Sequence, residues 1–207
     1  MNTMNESKAN SVRNLEHLYT TGVALALSLA IYNLIDTTRA TVPFKLELWP
    51  FFVAFLITLI PFYHGALRHL DITYIEKGGK QVHKVALLLD FLILFIESCA
   101  FIVLAVLLLK PLFFVWGLVA LLVFDAIWAF IVSLGFLKDV KPKAELRWAL
   151  INLIFTVILS VYLIIFNFVP RAIYVSDIKL ITGILCFSIL RTIIDYAWCW
   201  NIYFPSK

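Results

Sequence analysis

The second apolar run of the chain ends in the polar stretch PFYHGALRHLDITY, residues 61–74. In a helix, His64, Arg68 and Asp71 follow one another at i, i+4 and i+7, so they lie on a single face. A polar helix face is unfavourable in lipid hydrocarbon. We therefore expect this face to contact other helices or a water-filled cavity. The stretch predicts a helical membrane protein with a polar interior.

The composition of the whole chain agrees with this prediction. Hydrophobic residues make up 63% of the 207 residues and charged residues only 14%, whereas about a quarter of a soluble domain is charged. The apolar runs are continuous rather than alternating, which favours helices over a transmembrane barrel. We predict an all-α, multi-pass integral protein of the plasma membrane or of a bacterial inner membrane. The net charge of +4 is attributed to loops beside a membrane surface, and nothing suggests nucleic-acid binding.

Six stretches are long and apolar enough to cross a bilayer, since a span needs about 20 mostly apolar residues. The predicted spans are residues 18–35, 48–67, 85–109, 112–137, 148–168 and 178–200. Residues 1–14 are predicted to form a cytoplasmic tail, and residues 15–204 a single six-helix transmembrane bundle. No small-residue cleavage site follows the first apolar stretch, so we interpret it as an uncleaved span.

Lysine and arginine in the short loops indicate the orientation of the spans, because cytoplasmic loops carry the excess of these residues. One side receives eleven of them: Lys8, Arg13, Arg68, Lys77, Lys80, Lys84, Lys138, Lys141, Lys143, Arg147 and Lys207. The other side receives five: Arg39, Lys45, Lys110, Arg171 and Lys179. The bias predicts that both termini lie in the cytoplasm.

Polar residues of several spans fall at a similar depth when the helical rise of about 1.5 Å per residue is counted from the span ends. The predicted intramembrane layer, nearer the cytoplasmic face, consists of His64, Asp90, Asp125, Asn152, Arg191 and Asp195. Its pathway or rim is predicted to contain Arg68, His69, Asp71 and Glu97. An unpaired charge at this depth costs at least about 2.5–3.5 kcal/mol on insertion scales, so these groups must pair, hydrate or lose their charge. Carboxyl groups outnumber cations, which predicts a net acidic pocket open to the cytoplasm.

A self-contained network is the structural alternative, with Arg191 clamped between Asp195 and Asp125 to set helix packing. Cofactor chemistry finds little support in the sequence. Haem needs axial ligands on facing helices, and only His64 lies deep. His64 and His69 are five residues apart and face different directions, unlike the zinc-binding pair of HExxH. We therefore predict neither a metal site nor a cofactor, and assign no catalytic residue.

Three functions remain compatible with the polar layer. The first is a transporter or channel for a cation or protons. In it the aspartates bind the ion, Glu97 forms part of the path towards the outer face, and His64 shuttles protons. The second is an enzyme acting on a lipid or polyprenyl headgroup, with His64 as acid or base and Arg68 and Arg191 holding phosphate. The third is a non-catalytic sensor or partner subunit. Membrane lipid, a second copy of the chain or another membrane protein are the expected partners.

Overall fold

The structure, a computed structural model, describes residues 3–35, 44–76, 84–136, 143–168 and 177–205. Every element of four or more residues in these ranges is helical. The long helices are α1 (Thr3–Leu34), α2 (Trp49–Leu70), α3 (Lys84–Leu107), α4 (Pro111–Ile131), α5 (Lys143–Phe168) and α6 (Asp177–Tyr203). The prediction of an all-helical chain is confirmed for the described residues.

Short helical turns extend two of the long helices. A 3₁₀ turn, Leu46–Leu48, precedes α2, and a π-helical turn, Asp71–Glu76, follows it. The polar stretch of residues 61–74 is therefore helical from end to end. A second π-helical turn, Val132–Phe136, continues α4. Pro111 is the first residue of α4, where its missing N–H leaves no helical hydrogen bond unmade.

Five helical segments are long and apolar enough to cross a membrane. They are Leu46–Ile75, Val85–Leu107, Pro111–Leu134, Ala144–Ile165 and Thr182–Tyr203, and they coincide with the second to sixth predicted spans. By length and composition, the chain is a multi-pass membrane protein. All but the last residue of the first predicted span, residues 18–35, lie in α1, which is not one of these five segments. That α1 crosses the membrane, and that both termini lie on the cytoplasmic side, stay predictions.

Helix α1 begins well before the first predicted span. It is helical from Thr3, and Val12 and Leu15 are buried. The predicted tail of residues 1–14 is thus largely a continuation of the first helix, and its cytoplasmic location stays a prediction.

The six helices contact one another in the order α1, α3, α4, α5, α6, α2 and back to α1. The most extensive contacts join α1 with α3, α4 with α5, and α2 with α6. Tyr19 and Asn33 of α1 hydrogen bond to Glu97 and Ala105 of α3, in the same order along both helices. The two helices therefore run parallel.

The outward faces of the helices are apolar and the inward faces carry the polar groups. In α5, for example, Leu153, Val157 and Val161 are exposed, whereas Asn152 and Thr156 are buried. An extended exposed apolar surface is unfavourable in water but is matched by lipid hydrocarbon. This distribution agrees with helices surrounded by a bilayer.

Candidate functional site

A polar cavity of about 60 Å³ lies between α2, α3, α4, α5 and α6. The carboxyl, imidazole, guanidinium and amide side chains in its wall are those of His69, Glu97, Asp125, Glu145, Asn152, Arg191 and Asp195. One water molecule needs about 10–15 Å³ of such space, so the cavity has room for a few. Four of the wall residues in the described ranges carry carboxyl groups, against Arg191 and the imidazole of His69.

Helical periodicity places these side chains at the cavity. Glu145 and Asn152 of α5 are seven residues apart, and Arg191 and Asp195 of α6 are four apart, so each pair shares a face. Tyr203, two turns beyond Asp195, lies on the same face and completes this part of the wall. The cavity therefore follows from polar residues repeated at helical spacing on apolar helices.

Arg191 is linked to Asp125 through the amide of Asn152. Its Nε and Nη2 donate hydrogen bonds to Asn152 Oδ1 at 3.0 and 2.6 Å, and Asn152 Nδ2 donates to Asp125 Oδ2. The guanidinium also lies over the Phe62 ring, 4.7 Å from its centre. Asn152 thus stands between the cation and the carboxylate, in place of the direct clamp by Asp125 and Asp195 considered above.

A second cluster surrounds His69. Its Nε2 lies 3.2 Å from Asp90 Oδ2, and its Nδ1 lies 3.4 Å from Glu145 Oε1. Tyr74 donates to the same Asp90 oxygen at 2.5 Å. All four residues are buried. Because a neutral imidazole has only one N–H, only the doubly protonated ring can donate to both carboxylates at once.

Tyr203 closes the wall beside Asp195. Its hydroxyl lies 3.2 Å from each Asp195 carboxylate oxygen and accepts a hydrogen bond from Trp148 Nε1 at 3.1 Å. His64 lies next to Tyr203, with ring centres 4.6 Å apart, and its Nδ1 is 3.3 Å from the Tyr196 hydroxyl. His64 is not part of the wall.

Glu97 receives its hydrogen bond from the first helix. Tyr19 of α1 is buried and donates to Glu97 Oε1 at 2.5 Å. The Tyr19 ring also stacks on Tyr63 of α2, with centres 6.0 Å apart. No described side chain of α1 lines the cavity, but Tyr19 of this helix hydrogen bonds to a wall carboxyl group.

The structure brings most of the predicted site residues together. Of the predicted layer, Asp125, Asn152, Arg191 and Asp195 line the cavity, and so do His69 and Glu97 of the predicted pathway or rim. Asp90 lies behind His69, and His64, Arg68 and Asp71 lie outside the wall. Arg68 Nη1 is 3.3 Å from Asp71 Oδ2, and Arg68 Nε donates to the Ile202 carbonyl.

Sequence reasoning missed Glu145, Tyr74 and Tyr203. Glu145 precedes the predicted span of residues 148–168, whereas α5 already begins at Lys143. Its spacing of seven from Asn152 is the signal that could have found it. The two tyrosines carry no comparable signal, because tyrosine is frequent in apolar helices near membrane interfaces.

Within the described ranges, no group of three or more histidine, cysteine, aspartate or glutamate side chains is arranged to hold a metal ion. His69, the imidazole in the wall, has a carboxylate at each ring nitrogen. The donor set therefore favours hydrogen bonding within the protein. Comparison of the chain with protein-family models, with curated proteins and with solved structures yields no match.

Proposed function

We propose that the protein is a small multi-pass transporter or channel that passes protons or a small cation through the polar cavity. One observation carries the proposal: a narrow cavity among apolar helices has four carboxyl groups and one arginine in its described wall. Ionisable groups at this depth are costly and mark ion or proton pathways in membrane proteins. The aspartates and glutamates would bind the ion, and the arginine would moderate their charge.

The acidic wall favours a cation over an anion. Arg191, the guanidinium of the wall, already donates two hydrogen bonds to Asn152 and lies on the Phe62 ring. The Nε–Nη2 edge, one of the paired donor edges that suit a phosphate, is therefore already in use, and Nη1 is left without a partner among the described residues. The volume of about 60 Å³ is also far below the roughly 300–1,000 Å³ of pockets that enclose organic ligands. Both features favour a proton or small cation over a lipid headgroup.

The proposal includes six spans with both termini in the cytoplasm. Helix α1 runs parallel to α3 from Tyr19 to Asn33, which supports its crossing the same layer. The eleven-to-five distribution of basic residues supports the orientation. In this arrangement His69 and Glu145 face the cytoplasmic half of the bilayer.

Glu16, about midway along α1, lies near Asp71 of the turn that follows α2. Burial and, secondly, the charge of Asp71 raise the pKa of Glu16, which lies before the first predicted span. Because Arg68 pairs with Asp71, this part of the predicted cytoplasmic rim carries charges of both signs.

Ion flux in liposomes tests the proposal. We expect purified wild-type protein to accelerate the flux of protons, Na⁺ or K⁺ above that of protein-free liposomes, and Asp125→Asn to lower this flux at least about tenfold. Asparagine keeps an oxygen for the Asn152 Nδ2 donor, so the variant should still fold. Flux is measured with an internal pH-sensitive dye and with radioactive cations.

Glu47→Gln is the matched control, since it makes the same carboxyl-to-amide change at an exposed residue before α2. Its flux should stay within about twofold of wild type. A wild-type flux no faster than that of empty liposomes for all three ions contradicts the proposal. An equal loss of flux in both variants contradicts the assignment of the cavity as the pathway.

A further inference from the structure

Resting on the proposed function, we propose that Tyr19 of α1 is a positioning residue for the ion site, because its hydroxyl fixes the Glu97 carboxyl group in the cavity wall. Tyr19 Oη donates to Glu97 Oε1 at 2.5 Å, and Glu97 lines the cavity. The described side chains of α1 do not reach the cavity themselves. The first helix would thus act on the ion through one hydrogen bond.

The Tyr19 side chain is well fixed at this contact. The residue is only 1% exposed, and its ring stacks on the Tyr63 ring of α2, with centres 6.0 Å apart and planes 11° apart. The Tyr63 hydroxyl is 3.1 Å from Oγ1 of Thr20, the residue that follows Tyr19. A hydroxyl on a ring packed in this way gives the carboxyl group that it binds a defined position.

The approach of α1 to α3 is close beside this hydrogen bond. Gly22, about one turn after Tyr19, faces Ser98, the neighbour of Glu97, and a Cβ on Gly22 would overlap the Ser98 side chain. Small residues at a helix contact bring the two backbones near each other. The glycine contact therefore sets the helix separation at which the Tyr19 hydroxyl meets Glu97.

The main donors of the wall itself are engaged with other groups. Arg191 Nε and Nη2 donate to Asn152, and His69 has a carboxyl group at each ring nitrogen. Among the described residues, Tyr19 is the hydrogen-bond donor to Glu97. Removal of the Tyr19 hydroxyl therefore leaves the Glu97 side chain without the bond that selects its rotamer.

The second oxygen of Glu97 is left for the cavity. Oε2 has no hydrogen-bond partner among the described residues. The described side-chain atoms that are both unpartnered and closed to water include Glu145 Oε2 but not Glu97 Oε2. Glu97 Oε2 therefore keeps open surface, and the residue lines the cavity. With Oε1 held by Tyr19, Oε2 is the oxygen presented to the ion.

A carboxyl group that is already oriented binds an ion more tightly than a mobile one. It loses less conformational freedom on binding, so less of the interaction energy is offset. Loss of the Tyr19 hydroxyl should therefore weaken ion binding without changing the rate at which the filled cavity passes its ion.

Flux saturation in liposomes tests the proposal with Tyr19→Phe, which removes the hydroxyl and keeps the stacked ring. The ion is H⁺, Na⁺ or K⁺, whichever the wild-type protein passes fastest. We expect half-maximal flux to need an ion concentration about tenfold higher than in wild type, the factor that corresponds to one lost hydrogen bond. The maximal flux should stay within about twofold of wild type. A merely structural defect would instead lower the maximal flux, because it reduces the amount of active protein.

Tyr63→Phe is the matched control. It also removes a hydroxyl that links α1 with α2, but Tyr63 does not line the cavity. Its half-maximal concentration and its maximal flux should stay within about twofold of wild type. An unchanged half-maximal concentration in Tyr19→Phe, or an equal rise in Tyr63→Phe, overturns the inference and leaves the proposed function standing.

Infrared spectra separate this inference from the proposed function. Absence of flux for all three ions in wild type overturns the proposed function, and spectra of protein with isotope-labelled glutamate then decide whether Tyr19 fixes Glu97. The carboxyl band that is lost in Glu97→Gln should shift in Tyr19→Phe and not in Tyr63→Phe; an unshifted band in Tyr19→Phe overturns the inference. If Tyr19→Phe does not fold, Glu97→Asp withdraws the carboxyl group from the Tyr19 hydroxyl, and an unchanged half-maximal ion concentration then overturns the inference.

Discussion

Arg191 shows how a permanent charge is accommodated among apolar helices. A guanidinium cannot shed its proton inside a protein, so burial obliges the structure to supply acceptors or water. The structure supplies Asn152 Oδ1 for two N–H groups and the Phe62 ring for one face. Nη1 is left without a partner among the described residues. The asparagine therefore connects the arginine to the Asp125 carboxyl group.

The first prediction concerns this connector. Asn152→Ala and Arg191→Ala should each lower the free energy of unfolding by about 1–3 kcal/mol, because each leaves a buried polar partner unsatisfied. The double variant should lose less than the sum by about 0.5–3 kcal/mol, since both changes remove the same two hydrogen bonds. Denaturant unfolding in detergent micelles measures all three values.

A distant pair provides the control for this cycle. Asn33 of α1 donates to the Ala105 carbonyl, whereas the described partners of Arg191 are Asn152 and Phe62. The effects of Asn33→Ala and Arg191→Ala should therefore add to within about 0.5 kcal/mol. If the effects of Asn152→Ala and Arg191→Ala also add to within this limit, the hydrogen bonds between Asn152 and Arg191 contribute nothing to stability.

At the scale of elements, α1 attaches to α3 through small residues. Gly22 faces Ser98 so closely that an added Cβ would lie 2.6 Å from Ser98 Cβ. Ala26 and Ala30, one and two turns further along α1, are fully buried. Small residues allow helices in lipid to approach closely and gain van der Waals contact. Close packing thus supports the most extensive helix pair of the structure.

The second prediction tests this contact. Gly22→Ala should lower the free energy of unfolding by about 1–3 kcal/mol, because the new methyl group overlaps Ser98 and forces the helices apart. Adding Ser98→Gly removes the opposing Cβ and should restore most of the loss. Unfolding in detergent micelles, with α1–α3 contact monitored by a cysteine crosslink, measures both effects.

Gly65→Ala is the matched control for Gly22→Ala. Its added Cβ would meet the Tyr203 hydroxyl oxygen at 3.5 Å, an ordinary contact distance. Its stability should stay within about 0.5 kcal/mol of wild type. If Gly22→Ala with Ser98→Gly is no more stable than Gly22→Ala alone, the close approach is not the cause of the loss.

At the scale of the whole molecule, packing and charge point to the same alternating arrangement. The parallel contacts of α1 with α3 agree with two helices that cross in the same direction. In α2 and α6, His64 contacts Tyr196 and Arg68 contacts Ile202, again in parallel order. Regular alternation of six spans would put most basic loops on one side, and the eleven-to-five bias predicts that this side is cytoplasmic.

The third prediction is the sidedness of the loops. In a background without the three native cysteines, single cysteines at Asn5, Gly78 and Pro142 should react with a membrane-impermeant reagent only from the cytoplasmic side. Those at Val42 and Tyr174 should react only from the other side. Four of these positions, Gly78, Pro142, Val42 and Tyr174, lie outside the described residues. Labelling of inverted and right-side-out vesicles measures the pattern.

Two labelling results would contradict the predicted sidedness in different ways. Complete reversal of the labelling would overturn the orientation derived from basic residues but keep the six crossings. Labelling of Asn5 and Val42 from the same side would show that α1 does not cross the membrane.

The sequence by itself determined the class of protein and most helix boundaries. Continuous apolar runs of membrane-crossing length leave helices as the favoured structure, because lipid offers no hydrogen-bond partners to the backbone. Because a helix rises by a constant length per residue, the depth of a side chain in the membrane can be estimated by counting residues from the end of its span. For this reason Asp125, Asn152, Arg191 and Asp195, predicted at one level, all line one cavity.

Only the tertiary structure decided which helices are neighbours and which face each one turns inward. In lipid, one apolar helix face is much like another, so hydrophobicity alone does not select which helices pack together. Van der Waals fit and interhelical hydrogen bonds make that selection. That fit placed His64 beside Tyr203 outside the wall and brought His69 and Glu145 into it. The depth of a side chain follows from counting along one helix, whereas its partner depends on the rotation and packing of several.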